Sequence, residues 1–212
     1  MKNALRSLLV LSCLLPASAD VYIYNTINER LTYQIVLPNG DTQDGVIEPY
    51  AGYTPTQATL RTPRDKVTTF KVTSETGNSS LETKSPDGRC YLIAKKDGKL
   101  IFRGVSWNTD NGQTQKRAIT FFNATEAPQS FGLVDEKEIR QVTVQPGEEV
   151  TVEAKNGFHA GNHHLKFSDG SRLDNAVSAG HYAILYMDSR SHGKVQAGNY
   201  GWLAVPRNTV MK

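Results

Sequence analysis

Apolar and polar residues alternate along this chain in short stretches. Val142 and Val144, and again Val150 and Val152, each flank a polar residue, the period-two pattern of an antiparallel strand with one buried face. Runs of four to eight residues rich in Val, Ile, Thr, Tyr and Phe are separated by turn dipeptides: Asn39-Gly40, Asp44-Gly45, Asp87-Gly88, Asp97-Gly98, Asn111-Gly112 and Asp169-Gly170. Beyond the first twenty residues no window keeps an apolar helical period for three turns. Many short strands with frequent turn signals predict an all-β chain of the β-sandwich kind.

The pattern occurs twice. Val21-Tyr22-Ile23-Tyr24-Asn25 is matched by Ile119-Thr120-Phe121-Phe122-Asn123, each an aromatic β-rich run ending at an Asn suited to a turn. Val46-Ile47-Glu48-Pro49 matches Thr143-Val144-Gln145-Pro146, and Thr69-Phe70-Lys71-Val72 aligns with Leu165-Lys166-Phe167-Ser168. Gly88-Arg89-Cys90-Tyr91-Leu92-Ile93, followed by Gly98-Lys99, parallels Gly180-His181-Tyr182-Ala183-Ile184-Leu185, followed by Gly193-Lys194. The four pairs are collinear at offsets of about 92–98 residues, which predicts two tandem β-sandwich domains from an internal duplication. The expected domains are residues 20–107 and 118–204, with a polar linker at 108–117 and a tail at 205–212.

The N-terminus sets the compartment. Lys2 and Arg6 accompany an apolar stretch from Ala4 to Leu15, and Ala17-Ser18-Ala19 forms a small-residue cleavage site. This predicts a signal peptide over residues 1–19, cleaved before Asp20, and a periplasmic or secreted protein. Val10-Leu11-Ser12-Cys13 leaves a lipoprotein box as the alternative. No later stretch is apolar enough to span a membrane as a helix. Loss of residues 1–19 would leave Cys90 as the only cysteine, so the fold is expected to rest on its hydrophobic core without disulfides, Cys90 being an inward-facing strand residue.

The chain carries 24 Lys and Arg against 21 Asp and Glu, a net charge of +3, and 38% hydrophobic residues. That describes a globular protein and, with no Lys/Arg cluster, not a nucleic-acid binder. No Gly-x-Ser-x-Gly elbow, His-Glu-x-x-His helix or glycine-rich phosphate loop occurs, so no enzyme is expected. Ser191 and Lys194 satisfy Ser-x-x-Lys formally, but in a glycine-containing loop rather than on a helix. Asp135-Glu136-Lys137-Glu138 reads as a solvated mixed-charge turn, and Asn78-Ser79-Ser80 and Asn123-Ala124-Thr125 are sequons.

All five histidines, His159, His163, His164, His181 and His192, fall in the second repeat. Neutral imidazoles suit Zn or Cu, so His159, His163, His181 and His192 are the candidate metal ligands of an alternative metal-binding reading; otherwise no cofactor is expected. On a strand His163 and His164 face opposite ways. Tyr50, Tyr53, Tyr200 and Trp202 lie in Gly/Pro-rich stretches and are the candidate binding aromatics.

Taken with the paired β repeats, the opening strand Val21 to Asn25 and the segment Cys90-Tyr91-Leu92-Ile93 to Gly98-Lys99 resemble the periplasmic accessory proteins of alginate O-acetylation. The restart Lys116 to Asn123 and the segment Leu165 to Ser171 share in that resemblance. It implies a non-enzymatic protein whose partners are periplasmic or membrane polysaccharide-modifying proteins, the exopolysaccharide, or both. It implies no particular functional residue. A cell-surface structural or adhesion module is the remaining alternative.

Overall fold

The structure is a computed structural model that describes residues 18–49, 56–63, 66–84, 89–106, 118–136, 138–154, 158–159, 161–187 and 194–200. It is all-β. The first half carries β1 (Ser18–Asn25), β2 (Leu31–Val36), β3 (Thr42–Ile47), β4 (Thr56–Pro63), β5 (Val67–Ser74), β6 (Gly77–Lys84), β7 (Arg89–Lys96) and β8 (Lys99–Ser106). The second carries β9 (Ala118–Asn123), β10 (Gln129–Asp135), β11 (Glu138–Val144), β12 (Glu149–Glu153), β13 (Asn162–Phe167), β14 (Arg172–Ser178), β15 (Tyr182–Met187) and β16 (Val195–Tyr200). Among the described residues no helix is long and apolar enough to cross a membrane. The expected linker lies outside the described residues, as do residues 1–17; the expected cleavage point falls within β1, whose first residues Ser18 and Ala19 pair with Pro63 and Thr62.

The strands form four sheets of four. In the first half the orders are β4-β1-β7-β8 and β3-β2-β5-β6; in the second they are β12-β9-β15-β16 and β11-β10-β13-β14. Strand for strand the two halves have the same order, including the parallel pairs β1–β7 and β9–β15. Thr32–Thr73 and Gln34–Lys71 pair across β2–β5, and Gly132–Lys166 across β10–β13. Together with the matched asparagines this puts Lys71 of β5 at the position that Lys166 takes in β13, one residue from the alignment that sequence suggests. The similarity of Thr69–Val72 to Leu165–Ser168 is compositional, whereas register obeys the inward-facing alternation.

Three buried layers hold the sheets in a stack. Val21, Ile23, Ile35, Phe70, Tyr91 and Ile93 fill the first sandwich, and Phe121, Phe131, Leu133, Val144, Leu165 and Leu185 fill the second. Between the halves, Tyr24, Cys90, Leu92 and Val105 pack with Phe122, Tyr182, Ile184 and Tyr200. The strands β1, β7, β9 and β15 are therefore covered on both faces, which is why every residue from Cys90 to Ala94 and from Tyr182 to Tyr186 is buried and the alternation seen at Val142 and Val144 is missing there. Cys90 is a free thiol in this middle layer; burial pushes it up to about 12.

Ion pairs ring that layer. Lys95 is almost wholly buried and joins Glu29 of its own half to Glu126 of the other, the latter at 3.2 Å. Lys96 Nζ lies 2.5 Å from Glu148, and Arg103 bonds the buried Glu149, which also accepts the hydroxyl of Tyr182. Gly147 (φ 68°) turns tightly beneath these groups; a Cβ there would stand 2.5 Å from Ile101 Cδ1 of the first half, so only glycine fits both the left-handed backbone and the contact.

Each half is pinned by one buried asparagine. Asn25 Nδ2 donates to Glu29 O (2.7 Å), Ile47 O (3.3 Å) and Glu48 O (2.9 Å), while its Oδ1 accepts from Ile27 N. Asn123 Nδ2 donates to Ala127 O (2.8 Å) and Val144 O (2.9 Å), and its Oδ1 accepts from Thr125 N. With its amide enclosed and fully engaged, Asn123 is no acceptor for a glycan; Asn78 of the other sequon is exposed.

Candidate functional site

Two of the histidines, His159 and His163, converge on a residue that the sequence pattern assigns to solvent. Asp135 ends β10 at the tight β10–β11 turn, where Glu136 takes φ 50°, but its side chain is only 3% exposed. Its Oδ1 lies 3.0 Å from His159 Nδ1 and 3.4 Å from His163 Nδ1, and accepts a further bond from the backbone N–H of His159 at 3.4 Å. Asp135 is thus a buried clip, whereas Glu136 and Glu138 of the same turn are exposed, as its mixed charge leads one to expect. A carboxylate that ends a strand beside an inward-facing histidine is the signal that could have found it.

His163 faces inward on β13 because the alternation that buries Leu165 also buries it. Its ring packs on Phe158 with centroids 5.3 Å apart, and its Nε2 is enclosed without a hydrogen-bond partner. Burial lowers its pKa below the ordinary 6.5, against the opposing pull of the Asp135 charge, so the ring is neutral at pH 7. Arg140 lies over the other ring of the cluster, 4.9 Å from the Phe158 centroid, and binds Glu138 and the carbonyl of Glu153. His159 reaches Glu136 with its second nitrogen, at 3.3 Å. The arrangement ties the segment carrying Phe158 and His159 to the β10–β11 hairpin.

The other candidates are elsewhere. His164 faces outward and meets Asp174 at 3.1 Å. His181 bonds Asn199 at 3.0 Å, and Asn199 bonds Ser178, holding the start of β15 to the end of β16. Among the described residues no group of three or more His, Cys, Asp and Glu side chains is placed to hold a metal ion. His192, Tyr50, Tyr53 and Trp202 lie outside the described residues. Tyr200 is not a loop aromatic: it ends β16, is 2% exposed and belongs to the middle core. Its ring folds back over Gly198, where a Cβ would be 2.4 Å from the phenol oxygen, so the neighbouring glycine serves a strand.

Two surface hollows lie among the described residues. One, of about 550 Å³, lies on the outer face of the β3-β2-β5-β6 sheet among Thr32, Gln34, Asp44, Val46, Lys71 and Thr73. These side chains share a face because Gln34 pairs with both Asp44 and Lys71, and Thr32 with both Val46 and Thr73. The other, of about 400 Å³, lies at one end of the second half, between the β13–β14 turn and the start of β16. Both present hydroxyl, amide and charged groups beside apolar surface. No protein-family model matches the chain, and no curated protein matches it.

Proposed function

We propose that this chain is an exported, non-enzymatic accessory protein of two tandem β-sandwich domains that arose by duplication, and that it acts in the periplasm. It works by binding: it holds an alginate-like exopolysaccharide beside the periplasmic or membrane proteins that O-acetylate it. The equal strand order of the halves and their matching asparagine bonds support the duplication.

The observation that carries the reading is the middle core. Two sandwiches joined through buried side chains and ringed by ion pairs form one stiff body, and such a body serves by presenting fixed surfaces. Its two hollows among the described residues, one on each half, are of a size for sugar units. The test is native electrophoresis through gels containing a polyuronate or, as control, dextran. Retardation by the polyuronate alone is expected; equal migration in both gels overturns the reading. A fusion of residues 1–19 to a reporter active only outside the cytoplasm tests export in the same way.

A further inference from the structure

We infer that the hollow at the end of the second half, floored by Phe167 and flanked by Asp169 and Lys194, is the subsite that holds one hexuronate unit of the polysaccharide. This rests on the glycan-binding reading above and names where and how it happens.

The first half serves as an internal control, because the corresponding end of its sandwich is closed. There Asn25 holds the carbonyl of Glu29, as Asn123 holds that of Ala127, so Glu29 and Ala127 are equivalent positions. The Glu29 side chain crosses that end, binding Lys95 from β7 and accepting from Thr76 at 2.9 Å. The β5–β6 hairpin extends far enough for Gly77 to approach Gly98 of the β7–β8 turn. In the second half alanine replaces the glutamate, Met187 stands at the position of Lys95, and the β13–β14 hairpin is three residues shorter between its paired positions. The plug is gone, and next to Ala127 a hollow of about 400 Å³ opens between Pro128, the β13–β14 turn and the start of β16, within the usual range of small-ligand sites, roughly 300–1,000 Å³.

Its lining has the chemistry of a uronate. Asp169 Oδ1 accepts from the N–H of Ser171 at 2.8 Å and from its hydroxyl at 2.5 Å, which fixes the carboxylate in one orientation. Those two bonds also keep Asp169 ionised by lowering its pKa. Its other oxygen accepts from ring hydroxyls of the sugar. Lys194, which lines the same hollow, supplies the cation for the sugar carboxylate. Phe167, half-buried and 5.8 Å from Phe131, offers a ring held in place for the C–H face of a pyranose.

Isothermal titration of the purified protein with a 1,4-linked hexuronate tetramer, and with a neutral glucose tetramer, tests this. Lys194→Ala and Asp169→Asn should each weaken uronate binding at least tenfold, and Ser168→Trp, which fills the hollow from an exposed turn position, should abolish it. Thermal melts of the three variants should match the wild type, so a lost signal is not lost folding. Uronate binding that survives Ser168→Trp but disappears in Lys71→Ala places the sugar on the outer sheet face; this overturns the subsite and leaves the glycan reading standing. Equal binding of the neutral tetramer overturns the uronate assignment. No binding of either tetramer by the wild type overturns both inferences.

Discussion

Replacing Asn123 by alanine removes a side chain that is wholly buried and makes four hydrogen bonds. Two of its partners have alternatives: Ala127 O still accepts from Thr125 Oγ1 at 2.9 Å, and that hydroxyl still accepts from Gln129. Val144 O and Thr125 N are buried and lose the asparagine. At about 1–3 kcal/mol for each stranded group, the loss comes to about 4 kcal/mol. For a protein of this length that lowers Tm by roughly 8–16 °C, readable by calorimetry at pH 7. Asn123→Asp should fall further, since a carboxylate oxygen would then face the carbonyl of Val144 with no proton between them. Asn25→Ala should match Asn123→Ala, and Asn78→Ala, at an exposed site, should stay within about 0.5 kcal/mol of wild type. A drop of less than about 3 °C for Asn123→Ala, against those magnitudes, would refute the assignment of this residue as the pin of its half.

Three further outcomes are expected. Because His163 has its pKa lowered by burial, the unfolded chain takes up its proton first. Its contribution is present above about pH 6.5 and is lost as pH falls below that value; urea midpoints at pH 7 and pH 5 should differ less in His163→Gln than in wild type. Lys95→Met strands Glu29, whose carboxyl burial would raise but which Lys95, Ser74 and Thr76 together hold below its ordinary range; the variant should lose about 2 kcal/mol, and adding Glu29→Ala, which copies the Met187 and Ala127 pairing of the second half, should recover most of it. Cys90 should resist a thiol reagent such as DTNB in the native protein and react fully in 6 M guanidinium, whereas rapid native labelling would contradict its burial in the middle layer.

Much of the fold is legible in the residues. The alternation at Val142–Val144 and the turn dipeptides announce strands with one wet face, and the two aromatic runs ending at Asn25 and Asn123 mark the start of equivalent strands. The partner of the second apolar face is not legible. Cys90 to Ala94 carries apolar groups on both sides, but nothing local says that the outer cover is the other half of the same chain. The candidate site was harder to read for a similar reason. Asp135 looks solvated beside Glu136, Lys137 and Glu138, and only the docking of Phe158 and His159 over it reveals its burial. Tyr200 looks like a loop residue beside its glycines until the strand shows that Gly198 makes room for the ring. The hollow beside Asp169 arises from what is missing at Ala127, and an absent side chain leaves no motif.

The middle layer also bears on the order of synthesis. When residues 18–106 have emerged, the strands carrying Tyr24, Cys90, Leu92 and Val105 present a wide apolar sheet face whose cover, Phe122, Tyr182, Ile184 and Tyr200, is still to be made, the last of it nearly a hundred residues later. A chain truncated after the first half would expose that face permanently and tend to self-associate. The protein therefore depends on reaching its final strands before its first sandwich meets another copy of itself.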